Sequence, residues 1–171
     1  MSNSKKLDST KADIKNLEKK LGEVLGLERA AQKAVDELIS MKLLDAGDID
    51  EVKEVQEEAN SHEEKLLEVV KQLSQDEELK IDMKTIEETA KETEKKATKI
   101  MKTYLGEEPD KSEALEFLCL AEGGEVSHYE VLETISKKFD NRKLRSTVRS
   151  ILRQEKAHLT VCTDMAKEAV A

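Results

Sequence analysis

The chain has one proline, six glycines, two cysteines, no tryptophan and only four other aromatic residues, Tyr104, Phe117, Tyr129 and Phe139, in 171 positions. Each shortage excludes something. Without turn residues or a β-branched and aromatic bias, an all-β sandwich or barrel has neither its punctuation nor its strands. Two cysteines, Cys119 and Cys162, are too few for a disulfide framework and lie inside apolar patterns, which predicts buried reduced thiols. No apolar run approaches the ~20 residues of a membrane span. Met1 to Asp8 lacks the apolar centre of a signal peptide, so the expected location is cytoplasmic and no membrane partner is expected. Positive charge is also in deficit: 29 bases face 38 acids, for a net charge of −9. That balance argues against nucleic acid as a partner, because phosphate binding rests on Lys and Arg. The one basic stretch, from Lys137 to Arg153, reads as the solvated end of a helix.

What the chain does have is 37% apolar and 39% charged residues, with charges of both signs interleaved. That is the composition of amphipathic helices, and the fold class expected is all-α. A first stripe, Ile14, Leu17, Leu21, Val24, Ala31, Val35 and Leu38, opens at caps near Asp8 and Ser9 and runs to about Leu44. The segment Asp45-Ala46-Gly47-Asp48 breaks it, and a second stripe runs from Ile49 to Leu73 through Val52, Val55, Ala59, Leu66 and Val69. A narrower one, Ile86, Ala90, Ala97, Ile100 and Tyr104, occupies residues 82–105. Gly106 to Asp110 ends it, since Pro109 cannot continue a helix and Asp110 or Ser112 can cap the next. The last two helices meet at Asp140-Asn141. The expected domain is a single unit over 1–171, with hairpin one at 8–74, a connector helix within 75–109 and hairpin two at 110–171. That arrangement is a four-helix bundle of two antiparallel hairpins with an additional helix in the long connector.

The stripes are interrupted by polar residues at core positions. Glu28 falls between Val24 and Ala31; His62 falls between Ala59 and Leu66, with Glu58 one turn earlier. In the fourth helix Glu122 and Glu125 replace apolar residues before Tyr129, and His128 follows Glu125 by three. In the fifth, Glu155 and His158 fill the stripe between Ile151 and Cys162. An ionised carboxylate buried without a partner costs several kcal/mol, so a core that collects four or five needs compensation, and a bound cation supplies it. Counting places the groups at one depth: Glu125 and Glu155 are symmetric about residue 140, and Glu28 and His62 about residue 45, both inside turns. Glu28 and Glu58 centre on residue 43, an offset of roughly 6–9 Å at ~1.5 Å per residue. Carboxylates and imidazoles converging from four helices are the donor set of di-iron and di-manganese bundles. Gly123-Gly124 in the fourth helix suggests a bulge, a break or a close helix approach beside them.

The run Glu125-Val126-Ser127-His128-Tyr129-Glu130 followed by Glu155-Lys156-Ala157-His158, with Glu28 in the first helix and Glu57-Glu58 to His62 in the second, resembles the ferritin-like superfamily. That superfamily includes rubrerythrins and a branch of small bacterial stress proteins built on the same bundle. The resemblance implies a carboxylate-bridged site for two iron ions, with manganese or zinc as substitutes. Its metal ligands are drawn from Glu28, Glu58, His62, Glu122, Glu125, His128, Glu155 and His158, the carboxylates bridging and the imidazoles capping. It implies a ferroxidase- or peroxidase-like oxidoreductase that meets oxygen, peroxide or ferrous iron in a stress or iron-handling role; the long connector between the hairpins and the thin surface apolarity favour a homodimer over a storage shell. The C-x-x-C pairs of a rubredoxin electron carrier are missing. Two other readings stand beside this one. One is a zinc site of Cys119, Cys162, His128 and His158; the other is a metal-free helical bundle or coiled-coil interaction module. Tyr129, beside His128, can either hydrogen-bond a ligand or pack, and packing is the expectation.

Overall fold

A computed structural model describes the backbone of residues 2–171 and the side chains of 11–171. Five helices follow one another: α1 (Ser2–Ser40), α2 (Ala46–Ser74), α3 (Met83–Leu105), α4 (Lys111–Ser136) and α5 (Arg142–Glu168). Asp45 starts α2 with a reciprocal bond to Asp48, Asp82 caps α3, Asp110 starts α4 in a box with Glu113, and Asn141 caps α5. Each satisfies amide groups that the first turn leaves without partners.

The helix ends differ in detail from the sequence reading. The first helix stops at Ser40, because Lys42 takes a left-handed φ of 58° and Leu44 folds back into the core. Gly47 and Asp48, read as part of the breaker, lie in the first turn of α2. The cap expected at Asp8 or Ser9 lies outside the described side chains. Through Gly123 and Gly124 α4 runs on as one helix, so the pair makes neither bulge nor break.

Ion pairs fix the directions of the helices. Lys111, at the start of α4, binds Asp45 and Asp48 at the α1–α2 turn, while Lys138, just past its end, reaches Asp13 near the start of α1. α4 is therefore antiparallel to α1. On α2 and α5, His62 meets Glu155 and Glu68 meets Lys143, so that pair is antiparallel as well. α1, α2, α5 and α4 thus surround one core as two hairpins. The connector helix α3 runs parallel to α1 along its outer side, seated on Gly22 and Gly26: a side-chain carbon built at Gly26 would lie 2.4 Å from the Ala90 carbonyl oxygen. Its buried residues are Ile86, Ala90, Met101 and Leu105. Ile100 and Tyr104, expected in the stripe, are 56% and 43% exposed, because a period nearer four residues passes through Met101 and Leu105.

The apolar core is in two parts. One surrounds Leu17, Leu21, Leu66, Leu73, Leu132, Leu144 and Val148; the other surrounds Val35, Leu38, Val52, Leu115, Phe117, Leu118 and Met165. Between them lies a buried layer of Glu28, His62, Glu122, Glu125, Glu155 and His158. Among the described residues no helix is long and apolar enough to cross a membrane.

Candidate metal centre

Each helix of the bundle contributes to the layer. Glu28 comes from α1, His62 from α2, Glu122 and Glu125 from α4, and Glu155 and His158, one turn apart, from α5. Two triads of donor atoms form, each with all its atoms within 4.8 Å of one another: Glu28, His62 and Glu155, and Glu122, Glu155 and His158. Glu155 belongs to both. The imidazoles of His62 and His158 lie on either side of it, their ring centres 5.8 Å apart.

The donor atoms lie close together, yet most of them are not paired by hydrogen bonds. His62 Nδ1 is 2.7 Å from Glu155 Oε1 and 3.3 Å from Glu28 Oε1, yet neither approach has the alignment of a hydrogen bond. Glu28 Oε2, Glu122 Oε2, Glu125 Oε1 and Glu155 Oε2 are buried without a hydrogen-bond partner. With His62 Nδ1 that makes five unpartnered atoms in one layer, a large desolvation cost for a metal-free protein, and a hard oxygen and imidazole set of this kind suits divalent iron, manganese or zinc.

Groups outside the two triads hold the donors in place. His62 Nε2 lies 3.0 Å from Gln154 Oε1, which as an acceptor places the ring proton on Nε2 and leaves Nδ1 for the interior. His158 Nε2 bonds Glu58, while its Nδ1 sits 3.7 Å from Glu122 Oε2 and 3.6 Å from Glu155 Oε2. The Tyr129 hydroxyl, fully buried, donates to Glu28 Oε1. Tyr129 and Gln154 touch the layer in ways the sequence reading did not assign: Tyr129 was expected to pack, and Gln154 lies beside the stripe.

The charges are strongly displaced. Burial pushes Glu28 up to about 7 against the opposing pull of His62. Burial, aided by the Glu155 carboxylate, holds Glu122 and Glu125 well above the ordinary carboxylate range. For Glu155 burial acts in the same direction, but the two imidazoles outweigh it and bring the group to about 2. Burial opposes protonation of His62, and the adjoining Glu155 and Glu28 carboxylates more than offset it, to about 10. Glu155 is the ionised centre of the layer, with both imidazoles drawn toward it.

Two of the eight expected ligands stand elsewhere. His128 is half-exposed at the α1–α4 boundary, where Lys20 Nζ donates to its Nδ1 at 3.1 Å and Glu23 Oε2 lies 3.4 Å away. Tyr129, about 100° further round the helix, is the residue that α4 turns inward at this level, which leaves His128 at the boundary. Burial and the Lys20 ammonium push the His128 imidazole down. Glu58 is 35% exposed and reaches the layer from the rim, through the outer nitrogen of His158. The offset between Glu28 and Glu58 is the reason: Glu28 is level with His62 and not with Glu58. Glu125 is buried in the layer but belongs to neither triad. With His128 held by Lys20 and Glu23, the zinc set with Cys119 and Cys162 does not assemble; burial raises both thiols. Comparison with protein-family models, curated proteins and solved structures gives no match, so the reading of this layer rests on its own geometry.

Proposed function

We propose that Glu28, His62, Glu122, Glu155 and His158 form a dimetal-carboxylate centre of ferritin-like type, with iron as its metal. Its chemistry is the oxidation of ferrous iron or the reduction of peroxide or oxygen. One observation carries this reading: a single ionised carboxylate, Glu155, is shared by two donor triads, each with its own imidazole, and the surrounding donor atoms are buried and unpartnered. Glu155 would serve both ions, with His62 and Glu28 completing one triad and His158 and Glu122 the other. Bound iron would supply Lewis acidity and one-electron redox chemistry.

The protein's own part is to orient, to hold protons and to exclude water. Gln154 and Glu58 fix the two imidazoles so that each points its Nδ1 inward. Tyr129 holds Glu28 Oε1 and leaves Oε2 free. Glu122, kept toward its neutral form by burial, can surrender a proton when a cation arrives. The apolar clusters above and below close the layer from solvent along the bundle axis. All five donors come from one chain, so the centre needs no second copy.

The test is elemental analysis of protein purified without chelating resin, then anaerobic addition of Fe²⁺, exposure to oxygen or peroxide and assay of the remaining Fe²⁺ with a ferrous chelator. About two metals per chain are expected from the two triads, with loss of both metal and oxidation in Glu155→Ala. A chain that takes up no metal and melts identically with and without chelator would leave the interaction-module reading in possession of the fold.

A further inference from the structure

A half-open cavity of about 300 Å³ lies between α1, α3 and α4. At about 30 Å³ each it has room for on the order of ten waters, but its walls are mostly apolar, with Lys33, Glu37, Thr98 and His128 as the polar residues beside Glu125. The space exists because three helices present small residues to one another there: Ala31 from α1, Ala97 from α3 and Gly124 from α4, between the larger Leu27 and Phe117. A second, independent feature points to an occupant. Glu125, 2% exposed and with Oε1 unpartnered, lines the same cavity.

Gly124 adds to the case. A side-chain carbon built there meets nothing within 4 Å, so the fold does not require glycine at this position. Glycine within a helix costs about 1 kcal/mol relative to alanine. A residue that destabilises its helix while leaving empty space beside a buried carboxyl is explained by something that uses the space. Gly123 has equally open surroundings but does not line the cavity.

We propose that this cavity binds a small aliphatic molecule with an uncharged polar end, of the class of medium-chain alcohols or aldehydes. Its chain lies between α1, α3 and α4, and its polar atom meets the Glu125 carboxyl. The uncharged end follows from the surroundings. The ionised Glu155 carboxylate acts on Glu125, so a carboxylate head would be repelled, and a Glu125 carboxyl kept neutral by burial can both donate to and accept from a hydroxyl or carbonyl. The inference does not depend on metal, because Glu125 stands outside both donor triads. If the layer does hold metal, the ligand lies beside it.

Isothermal calorimetry on the full chain in chelator, with octan-1-ol, octanoate and octylamine as probes, tests the proposal. Octan-1-ol should bind at least tenfold more tightly than either charged probe. Gly124→Leu should fill the cavity and abolish binding while its melting temperature holds or rises. Gly123→Leu, with the same gain in helix propensity, should bind as the parent does. Glu125→Leu should weaken octan-1-ol about tenfold, the loss of roughly one hydrogen bond. Three results would each overturn the proposal: octylamine binding most tightly, binding that survives Gly124→Leu, or no heat from any probe. A Gly124→Leu protein with altered mass in solution would also do so, by showing that a second copy covers the groove.

Discussion

Tyr129 shows how much one side chain can decide in this core. Its ring sits among the apolar residues of the bundle while its hydroxyl donates an aligned hydrogen bond to the Glu28 carboxylate. Tyr129→Phe keeps the packing and leaves a buried acceptor unpartnered, so urea unfolding of the metal-free protein should show a loss of about 1–3 kcal/mol. Gln154 acts through His62. Gln154→Leu should free the ring to change tautomer and weaken metal binding about 10–100-fold, by competition with a chelating dye. Gln154→Glu, which keeps an acceptor, should bind as the parent does, and nitrogen NMR of the ring should separate the two variants even without metal. At this scale the stripe interruptions were legible, since Glu28, His62, Glu122, Glu125, Glu155 and His158 all proved buried in one layer. His128 and Glu58 were misplaced because a spacing of three or four residues leaves about 100° of helix rotation undetermined, and only packing against α1 and α5 settles it.

At the scale of the helix, the glycines divide by what lies opposite them. Gly22 and Gly26 face the backbone of α3, where a side-chain carbon would come within 2.7 Å of the Ile86 carbonyl oxygen and 2.4 Å of that of Ala90. Backbone cannot yield as a side chain can, so Gly26→Ala should cost about 1–3 kcal/mol of stability despite its better helix propensity. The converse holds in α4: Gly123→Ala meets open space and should gain about 0.5–1 kcal/mol. Thermal melts of the two variants should move in opposite directions, and movement in the same direction would refute the close seating of α3 on α1. The four bundle helices and the connector were legible in the apolar periodicity, and the Asp110 cap and the turn at Asp140-Asn141 in the breaker residues. The seat of α3 was not, because a Gly-x-x-x-Gly pair means close approach only once the opposing element is known. Ile100 and Tyr104 were placed inward for a related reason: the thinner the stripe, the more a single-residue change of phase alters which side chains it includes.

For the molecule as a whole, the layer is a set of charges that exists only when all four helices are assembled, so its protonation is linked to folding. Glu28, raised from an ordinary 4.5 to about 7, holds a proton in the folded chain that the unfolded chain has lost; its contribution is complete below pH 4.5 and gone above about 7. His62, raised from 6.5 to about 10, contributes fully below pH 6.5 and not at all above about 10. Glu155, lowered from 4.5 to about 2, acts in the opposite sense, its stabilisation present above pH 4.5 and lost toward pH 2. Metal-free protein should therefore be most stable near pH 4.5–6 and melt at progressively lower temperature as the pH rises toward 10. A bound cation reverses the slope, because the same carboxylates and imidazoles must shed their protons to ligate, and binding then strengthens as the pH rises. Melting curves between pH 5 and 9, in chelator and in excess Zn²⁺ as a redox-inert substitute, should cross: falling with pH in the first and rising in the second. Parallel falling curves would mean that the layer is a self-compensated proton store, with Glu155 serving two imidazolium ions in place of two metals.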